Sequence, residues 1–392
     1  MTPSAQTWRC RLRARSEPFG AWVRLDEPPA LVAVDRHVAR RLRVLPDDAW
    51  TPARLPSRAR PLEVHLAVTA RCPLGCPGCY VDARAHGEHP TTAELRERLD
   101  AIDAAAAFTV AFGGGEPLLR TDLLELAEHS RSRGLLPVLT TSGAGLTAAR
   151  IAELRAFAQV NVSYDGGDDA MRHTRGTDAS FAERAIELLA AGGGRVGVNV
   201  LLTRETFPRL DATLRRAATL GAAEAQLLRY KPAGRAAGLS YLARRLSNDQ
   251  IAGLPNVLRR LSREAVLPLR IDCALLPLIV DDEVSPDDLS TWGVLGCEAG
   301  RSLAVVRADG TVAGCSFASD GVAGPYGVAA LSQEPLARFS AHADALPEPC
   351  ATCPFRVSCR GGCRVVADHA GERGQPDPEC PRVVRYRASR EG

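Results

Sequence analysis

The amino-acid sequence predicts an α/β chain organised around a partial (β/α)6 barrel, and three observations carry that prediction. Between residues 62 and 230, six short apolar segments alternate with segments of helical periodicity, the pattern left by parallel strands joined through right-handed crossovers. Polar and glycine-rich motifs stand just after several of these strands, at the rim where such barrels carry their chemistry. On either side the texture changes: residues 1–60 are rich in arginine and proline, and residues 281–392 are dense in cysteine and turn residues. The expected units are therefore 1–60, 61–280 and 281–392.

In the first unit "FGAWVRL" and "ALVAVD" read as strands joined by "DEPP", a hairpin, with "RHVARRLRVL" as a short helix after them. The barrel opens on the strand "LEVHLAV", followed by a cysteine loop. "TTAELRERLDAIDAAAAF" then has apolar residues at helical spacing behind a threonine cap. Strand "TVAFGGG", helix "DLLELAEHSRSRG", strand "LPVLTTSG" and helix "TAARIAELRAFA" continue the alternation. Strand "QVNVSYDG", helix "SFAERAIELLAAGG", strand "RVGVNVLLT", helix "FPRLDATLRRAATLG" and strand "EAQLLRY" complete a TIM-like series. A Gly/Ala/Arg-rich turn and the helix "NDQIAGLPNVLRRLSREA" follow. The acidic "DDEVSPDDLSTWG" marks a boundary, and "SLAVVRADGTVAGC" is a hairpin on Asp309-Gly310.

The net charge of +3 comes from 49 basic and 46 acidic residues interspersed along the chain, so no clustered excess charge points to nucleic acid. One of the 49 basic residues is lysine, Lys231; the rest are arginine. The N-terminus lacks the apolar core of a signal peptide, and runs such as "CALLPLIV" fall far short of a membrane span. The expected location is cytoplasmic, where thiols stay reduced and twelve cysteines imply metal rather than disulfides.

Cys72, Cys76 and Cys79 in "TARCPLGCPGCYVDA" have the spacing C-x3-C-x2-C after the first strand. Pro73, Gly75, Pro77 and Gly78 let that loop wrap tightly, which suits a cubane iron–sulfur cluster with one iron left open. Zinc is the alternative, but no fourth cysteine stands at knuckle spacing. His86 and His89 lie in the polar "ARAHGEHP", where solvation is the expected state.

These cysteines, with "FGGGEP" after the second strand, resemble the radical S-adenosylmethionine (radical SAM) enzymes, across residues 62–230. The resemblance implies that S-adenosylmethionine itself ligates the open iron of a [4Fe-4S] cluster and is cleaved reductively to a 5′-deoxyadenosyl radical. It assigns Gly114, Gly115 and Glu116 to the cosubstrate's ammonium. Ser142 of "TTSG", and Ser163 and Asp165 of "VSYDG", fall near its ribose, and Arg175 of "HTRG" near its carboxylate. An ordinary turn or cap role is the alternative for Ser142, Ser163, Asp165 and Arg175. The family often has an aromatic residue before the third cysteine, where this chain has Gly78, with Tyr80 after the cysteine.

The C-terminal cysteines run C-x12-G-x4-C, then C-x2-C-x5-C-x3-C, then C. This resembles the seven-cysteine SPASM extension of radical enzymes that modify peptides and proteins. By that pattern Cys350, Cys353, Cys359 and Cys380 ligate one auxiliary cluster, and Cys297, Cys315 and Cys363 a second, giving three [4Fe-4S] clusters in all. Cys273 of "LRIDCALLP" is the candidate fourth ligand of the second, its alternative being a buried structural thiol. Cys10 is expected to be an ordinary thiol.

Shared stretches such as "RYKPAGR" and "CRGGC" are similar to maturases of ribosomally made peptides, the mycofactocin type among them. The resemblance implies a precursor peptide as substrate and a reducing donor such as ferredoxin or flavodoxin. The N-terminal hairpin and helix are then a reduced leader-recognition element or a cap on the barrel. Ser316 stands where sulfatase maturases carry a basic aspartate, which argues against that activity. The other readings are a dehydrogenase or epimerase acting on a small molecule, and a non-catalytic iron–sulfur carrier. The catalytic base stays unassigned; Arg229, Tyr230 and Lys231 lie at a strand end without a role.

Overall fold

The computed structural model describes residues 13–26, 29–51, 60–238, 240–280, 284–323, 334–341 and 345–391. Cys10, two residues of the expected "DEPP" turn and residues 281–283 lie outside them. The N-terminal sheet has three antiparallel strands, β1 (Arg13–Glu17), β2 (Gly20–Asp26) and β3 (Pro29–Asp35), followed by a helix, Arg36–Arg41. The expected hairpin is β2–β3; β1 was not anticipated. It ties the sheet to the barrel: Arg15 Nη1 donates to the carbonyls of Pro61 (2.9 Å) and Ala106 (2.8 Å), and Arg13 pairs with Asp103 at 2.8 Å.

The barrel strands are β4 (Glu63–Thr69), β5 (Thr109–Gly114), β6 (Leu136–Thr141), β7 (Gln159–Ser163), β8 (Val196–Leu202) and β9 (Glu224–Arg229), each parallel to the next. A short parallel strand, β10 (Leu269–Ile271), extends the far edge. At the near edge β11 (Leu303–Val306) pairs parallel with β4, and β12 (Thr311–Ala313) and β13 (Val322–Ala323) follow antiparallel. The sheet order β10-β9-β8-β7-β6-β5-β4-β11-β12-β13 leaves the barrel open. The Asp309-Gly310 hairpin thus belongs to the barrel sheet, and it carries Cys315 to the barrel mouth.

Alternation within each strand divides core from cavity. Val64, Leu66 and Val68 of β4, Val110 and Phe112 of β5, and Val198, Val200 and Leu202 of β8 are buried in the main apolar core. Glu63, His65, Thr140, Asn161, Asn199 and Gln226 face inward instead and line a cavity of about 1250 Å³. The interior is therefore hollow, with polar side chains projecting into it, unlike the packed centre of a closed eight-stranded barrel.

The helix Thr92–Ala104 begins on the expected cap: Thr91 and Glu94 form a reciprocal capping box. The "TAARIAELRAFA" segment departs from expectation, with one α-turn (Ile151–Leu154) after a 3-10 turn. In the loop before it, after β6, Gly143 and Gly145 adopt positive φ and Ser142 turns back toward Glu116. Among the described residues no helix is long and apolar enough to cross a membrane.

Candidate active site

The loop after β4 carries Cys72, Cys76 and Cys79 to the cavity. Two contacts hold it against β5. Gly115 N donates to Thr69 O (2.7 Å) and Glu116 N to Arg71 O (2.8 Å), so close that a Cβ on Gly115 would stand 2.1 Å from Arg71 O. Gly114, at φ +104, would meet Thr69 O at 2.2 Å. The glycines of "FGGGEP" are thus required by backbone approach. Behind the loop Arg235 donates from Nε to Cys76 O (2.9 Å) and from Nη1 to Asp82 Oδ1 (2.8 Å) and Ala83 O (2.9 Å). Arg235 lies in the quoted "RYKPAGR", but its clamping role had no local signal. The Gly78 position is also explained: a Cβ there would lie 2.8 Å from the Tyr230 ring, so a tyrosine from β9's end occupies space beside the third cysteine.

Burial pushes the Cys72 thiol up to about 11, with Glu116 and the other two loop thiols adding to the effect. Burial also raises Cys76, opposed by the Arg175 guanidinium. A cation-rich cluster would relieve this cost by holding the thiolates. Three closely spaced thiols lining the cavity, with a guanidinium beside them, would suit the thiolate set of an iron–sulfur cluster. Among the described residues no three His, Cys, Asp or Glu side chains close up as around a single metal ion.

Glu116 is 1% exposed and accepts four hydrogen bonds. They come from Thr141 Oγ1 (2.6 Å), Leu118 N (3.0 Å), Ser142 N (2.9 Å) and Ser142 Oγ. Burial nonetheless pushes its carboxyl up. Ser142 therefore reaches the cavity wall as a partner of Glu116. Asp165 is fully buried and does not line the cavity. It accepts from Thr174 Oγ1, Arg175 Nε and Leu201 N, each at 2.7 Å, and so aims Arg175 rather than facing a ligand. Ser163 and Arg175 do line the cavity.

Sequence reasoning missed Asn199, which sits opposite Ser163 in the β7–β8 register and next to Gln226 on β9. It is 8% exposed, and its Oδ1 has no hydrogen-bond partner. A buried, unsatisfied acceptor in a ligand cavity awaits a donor. The available signal was a lone amide in the apolar strand "VGVNVLL". His89, expected to be solvated, instead bonds through Nδ1 to Thr69 Oγ1 at 2.9 Å; His86 is exposed.

Ser316 also enters the cavity. Its Oγ lies 2.8 Å from His65 Nδ1, and His65 Nε2 lies 2.8 Å from Glu63 Oε1. A carboxylate must accept from Nε2–H, which leaves Nδ1 to accept from the serine hydroxyl.

The C-terminal cysteines fall into two neighbourhoods. Cys350, Cys353, Cys359 and Cys380 act on one another, and burial lifts Cys350 to about 12. Cys273, Cys297 and Cys315 form the other, with Cys363 and Cys315 sharing an apolar patch that includes Phe317 and Tyr80. Between the two sets Asp377 accepts from Arg229 Nη1 (2.6 Å) and from the Cys363 amide (3.0 Å), and Glu379 accepts from Arg229 Nη2 (2.8 Å).

Residues 66–217 match the Radical SAM superfamily. The chain is a radical SAM enzyme. It uses S-adenosylmethionine and the radical SAM [4Fe-4S] cluster. This radical SAM chain is 27% identical over 360 residues to the PqqA peptide cyclase of Bradyrhizobium diazoefficiens, covering 82% of this chain and 86% of that one. It is 28% identical over 342 residues to the mycofactocin maturase MftC of Mycobacterium tuberculosis, covering 82% and 83%. Its fold matches that of Streptococcus suis SuiB, solved bound to the precursor peptide SuiA. The TM-score is 0.71 at 13% identity, over 94% of this chain and 98% of SuiB.

Proposed function

We propose that this radical SAM enzyme is a maturase that modifies a ribosomally made precursor peptide at an unactivated C–H bond, by crosslinking or oxidation. The observation that carries the reading is the convergence of three loop thiols, Glu116 and Arg175 on one cavity of about 1250 Å³. That exceeds the roughly 300–1,000 Å³ of ordinary small-ligand pockets, leaving room for cosubstrate and a peptide segment together. Peptide-acting relatives over most of the chain's length support it.

In this reading Cys72, Cys76 and Cys79 hold the first cluster. Gly114, Gly115 and Glu116 receive the cosubstrate's ammonium, and Arg175, aimed by Asp165, meets its carboxylate. Ser163 and Asn199 face its ribose, with Ser142 holding Glu116. Cluster and S-adenosylmethionine, when bound, supply the deoxyadenosyl radical that takes the hydrogen atom. Oxidative modification also releases a proton. The Ser316 hydroxyl, through His65 Nδ1 and with Glu63 fixing the tautomer, offers it an acceptor on the cavity wall. Cys350, Cys353, Cys359 and Cys380 would hold one auxiliary cluster, and Cys297, Cys315, Cys363 and Cys273 another. The units 1–60, 61–280 and 281–392 then serve recognition, radical generation and auxiliary redox chemistry. The outer edge of β3 has no strand partner among the described residues, so a leader peptide can add a strand there. A small donor such as ferredoxin or flavodoxin would supply electrons.

The test is anaerobic incubation of reconstituted enzyme with S-adenosylmethionine, reductant and peptides encoded beside its gene. Deoxyadenosine release should rise with the cognate peptide, whose mass should change. Release that ignores every peptide yet rises with a small metabolite rejects the peptide assignment. Iron should total about twelve per chain and fall by about four when Cys72, Cys76 and Cys79 are replaced by alanine.

A further inference from the structure

Lys231 is the one lysine in a chain that otherwise uses arginine throughout. It follows β9 and is 6% exposed, and its ammonium pairs with Asp272. The Nζ also stands 3.9 Å from the centroid of the Phe317 ring. Phe317 in turn stacks on Tyr80 at 4.4 Å. Tyr80 follows Cys79 and Phe317 lies two residues beyond Cys315, so the ammonium sits beside an aromatic bridge between the first cysteine loop and the C-terminal set. Asp272 precedes Cys273 and accepts from its thiol at 3.5 Å.

A compact, fixed positive charge in this place has an electrostatic consequence. A centre ligated by thiolates is negative and becomes more so on reduction, so a buried cation nearby favours the reduced state. The carboxylate of Asp272 opposes this. The two charges stand at different ends of the centre: the ammonium lies over a ring two residues from Cys315, and the carboxylate lies beside the Cys273 thiol. A guanidinium is larger and planar and cannot put its whole charge on one point over the ring, which gives a physical reason for lysine here.

We propose that Lys231 is a positioning residue for charge, holding the auxiliary centre of Cys297, Cys315, Cys363 and Cys273 at a higher reduction potential than the same ligands would give alone. This rests on the reading that those cysteines hold an iron–sulfur centre, and the test separates the two. The starting protein carries Cys72, Cys76 and Cys79 as alanines, so that only auxiliary iron remains after anaerobic reconstitution. Iron content and the midpoint potentials of the remaining centres are measured by redox titration followed by electron paramagnetic resonance. Lys231→Met should move one midpoint to more negative potential, and Asp272→Asn should move the same one to more positive potential. The centre held by Cys350, Cys353, Cys359 and Cys380 should stay put. A merely structural role would shift both variants the same way or remove iron from both. A midpoint unmoved by Lys231→Met, or moved in one direction by both variants, overturns the proposal. Should Lys231→Met fail to load iron, the absence of a positive shift in Asp272→Asn overturns it as well. No iron in the starting protein would instead reject the auxiliary centre itself.

Discussion

Replacing Gly115 with alanine should detach the loop that carries the first three thiols. The new Cβ would stand 2.1 Å from Arg71 O and 2.7 Å from Arg71 C, whereas real Cβ atoms stay beyond 3.0 Å. The strand end and the loop must part by about 0.9 Å, yet two short backbone hydrogen bonds tie them together. Overpacking costs about 1–3 kcal/mol, and each of the two weakened backbone bonds about 1 kcal/mol more, so a loss of about 3–5 kcal/mol is expected. Gly75 provides the control, because it lies in the same loop and its Cβ would meet nothing within 4 Å. Gly78→Ala should be intermediate: its obstacle is the Tyr230 side chain at 2.8 Å, and Tyr230→Leu should relieve it. The assay is iron per chain after anaerobic reconstitution, with melting temperature alongside. Gly75→Ala should match the parent, while Gly115→Ala should lose about four irons and melt lower. Equal iron and equal melting in Gly115→Ala and Gly75→Ala would refute the reasoning.

Other consequences are open to measurement. Arg229→Met removes one partner of a buried pair with Asp377 and Glu379, which typically costs about 3–5 kcal/mol; calorimetry should show this, with C-terminal iron lost before that of the first loop. Asn199→Ala should weaken S-adenosylmethionine binding by about five- to tenfold in titration calorimetry and leave melting unchanged, since no internal hydrogen bond is lost. His65→Phe should cut modified peptide per deoxyadenosine by about 100-fold while deoxyadenosine still forms; an unchanged ratio removes His65 from the proton path. Burial pushes the Glu224 carboxyl up, but Gln159, Arg195 and Arg270 outweigh it and hold it below the usual range. The stability this contributes is full above the unfolded carboxyl's ordinary value of about 4.3 and is lost as pH falls through the folded one. Glu224→Gln should therefore show a shallower loss of melting temperature on acidification.

Much of the candidate site was legible because its parts are local. Three cysteines within one loop, a threonine cap with Glu94 three residues on, and alternating strands announce themselves at short range. The division of the C-terminal cysteines came from the resemblance to the SPASM pattern; in the structure Cys350, Cys353, Cys359 and Cys380 are near enough to act on one another. Ser142 and Asp165 show where that reading stops: both stand at strand ends as expected, but their side chains turn to Glu116 and Arg175.

By itself the sequence determined the strand and helix alternation and the cysteine-bearing loops, which depend on periodicity and spacing within a few residues, and through its resemblance to radical SAM enzymes it implied the class of chemistry. Only the tertiary structure decided that Arg235 clamps the cysteine loop, that Asn199 offers a free acceptor and that Ser316 finds His65 inside the barrel. It alone set the single lysine against Asp272 and Phe317. Hydrogen bonds and buried charges are satisfied by whichever groups packing brings within reach, and those partners lie on strands and loops far apart along the chain.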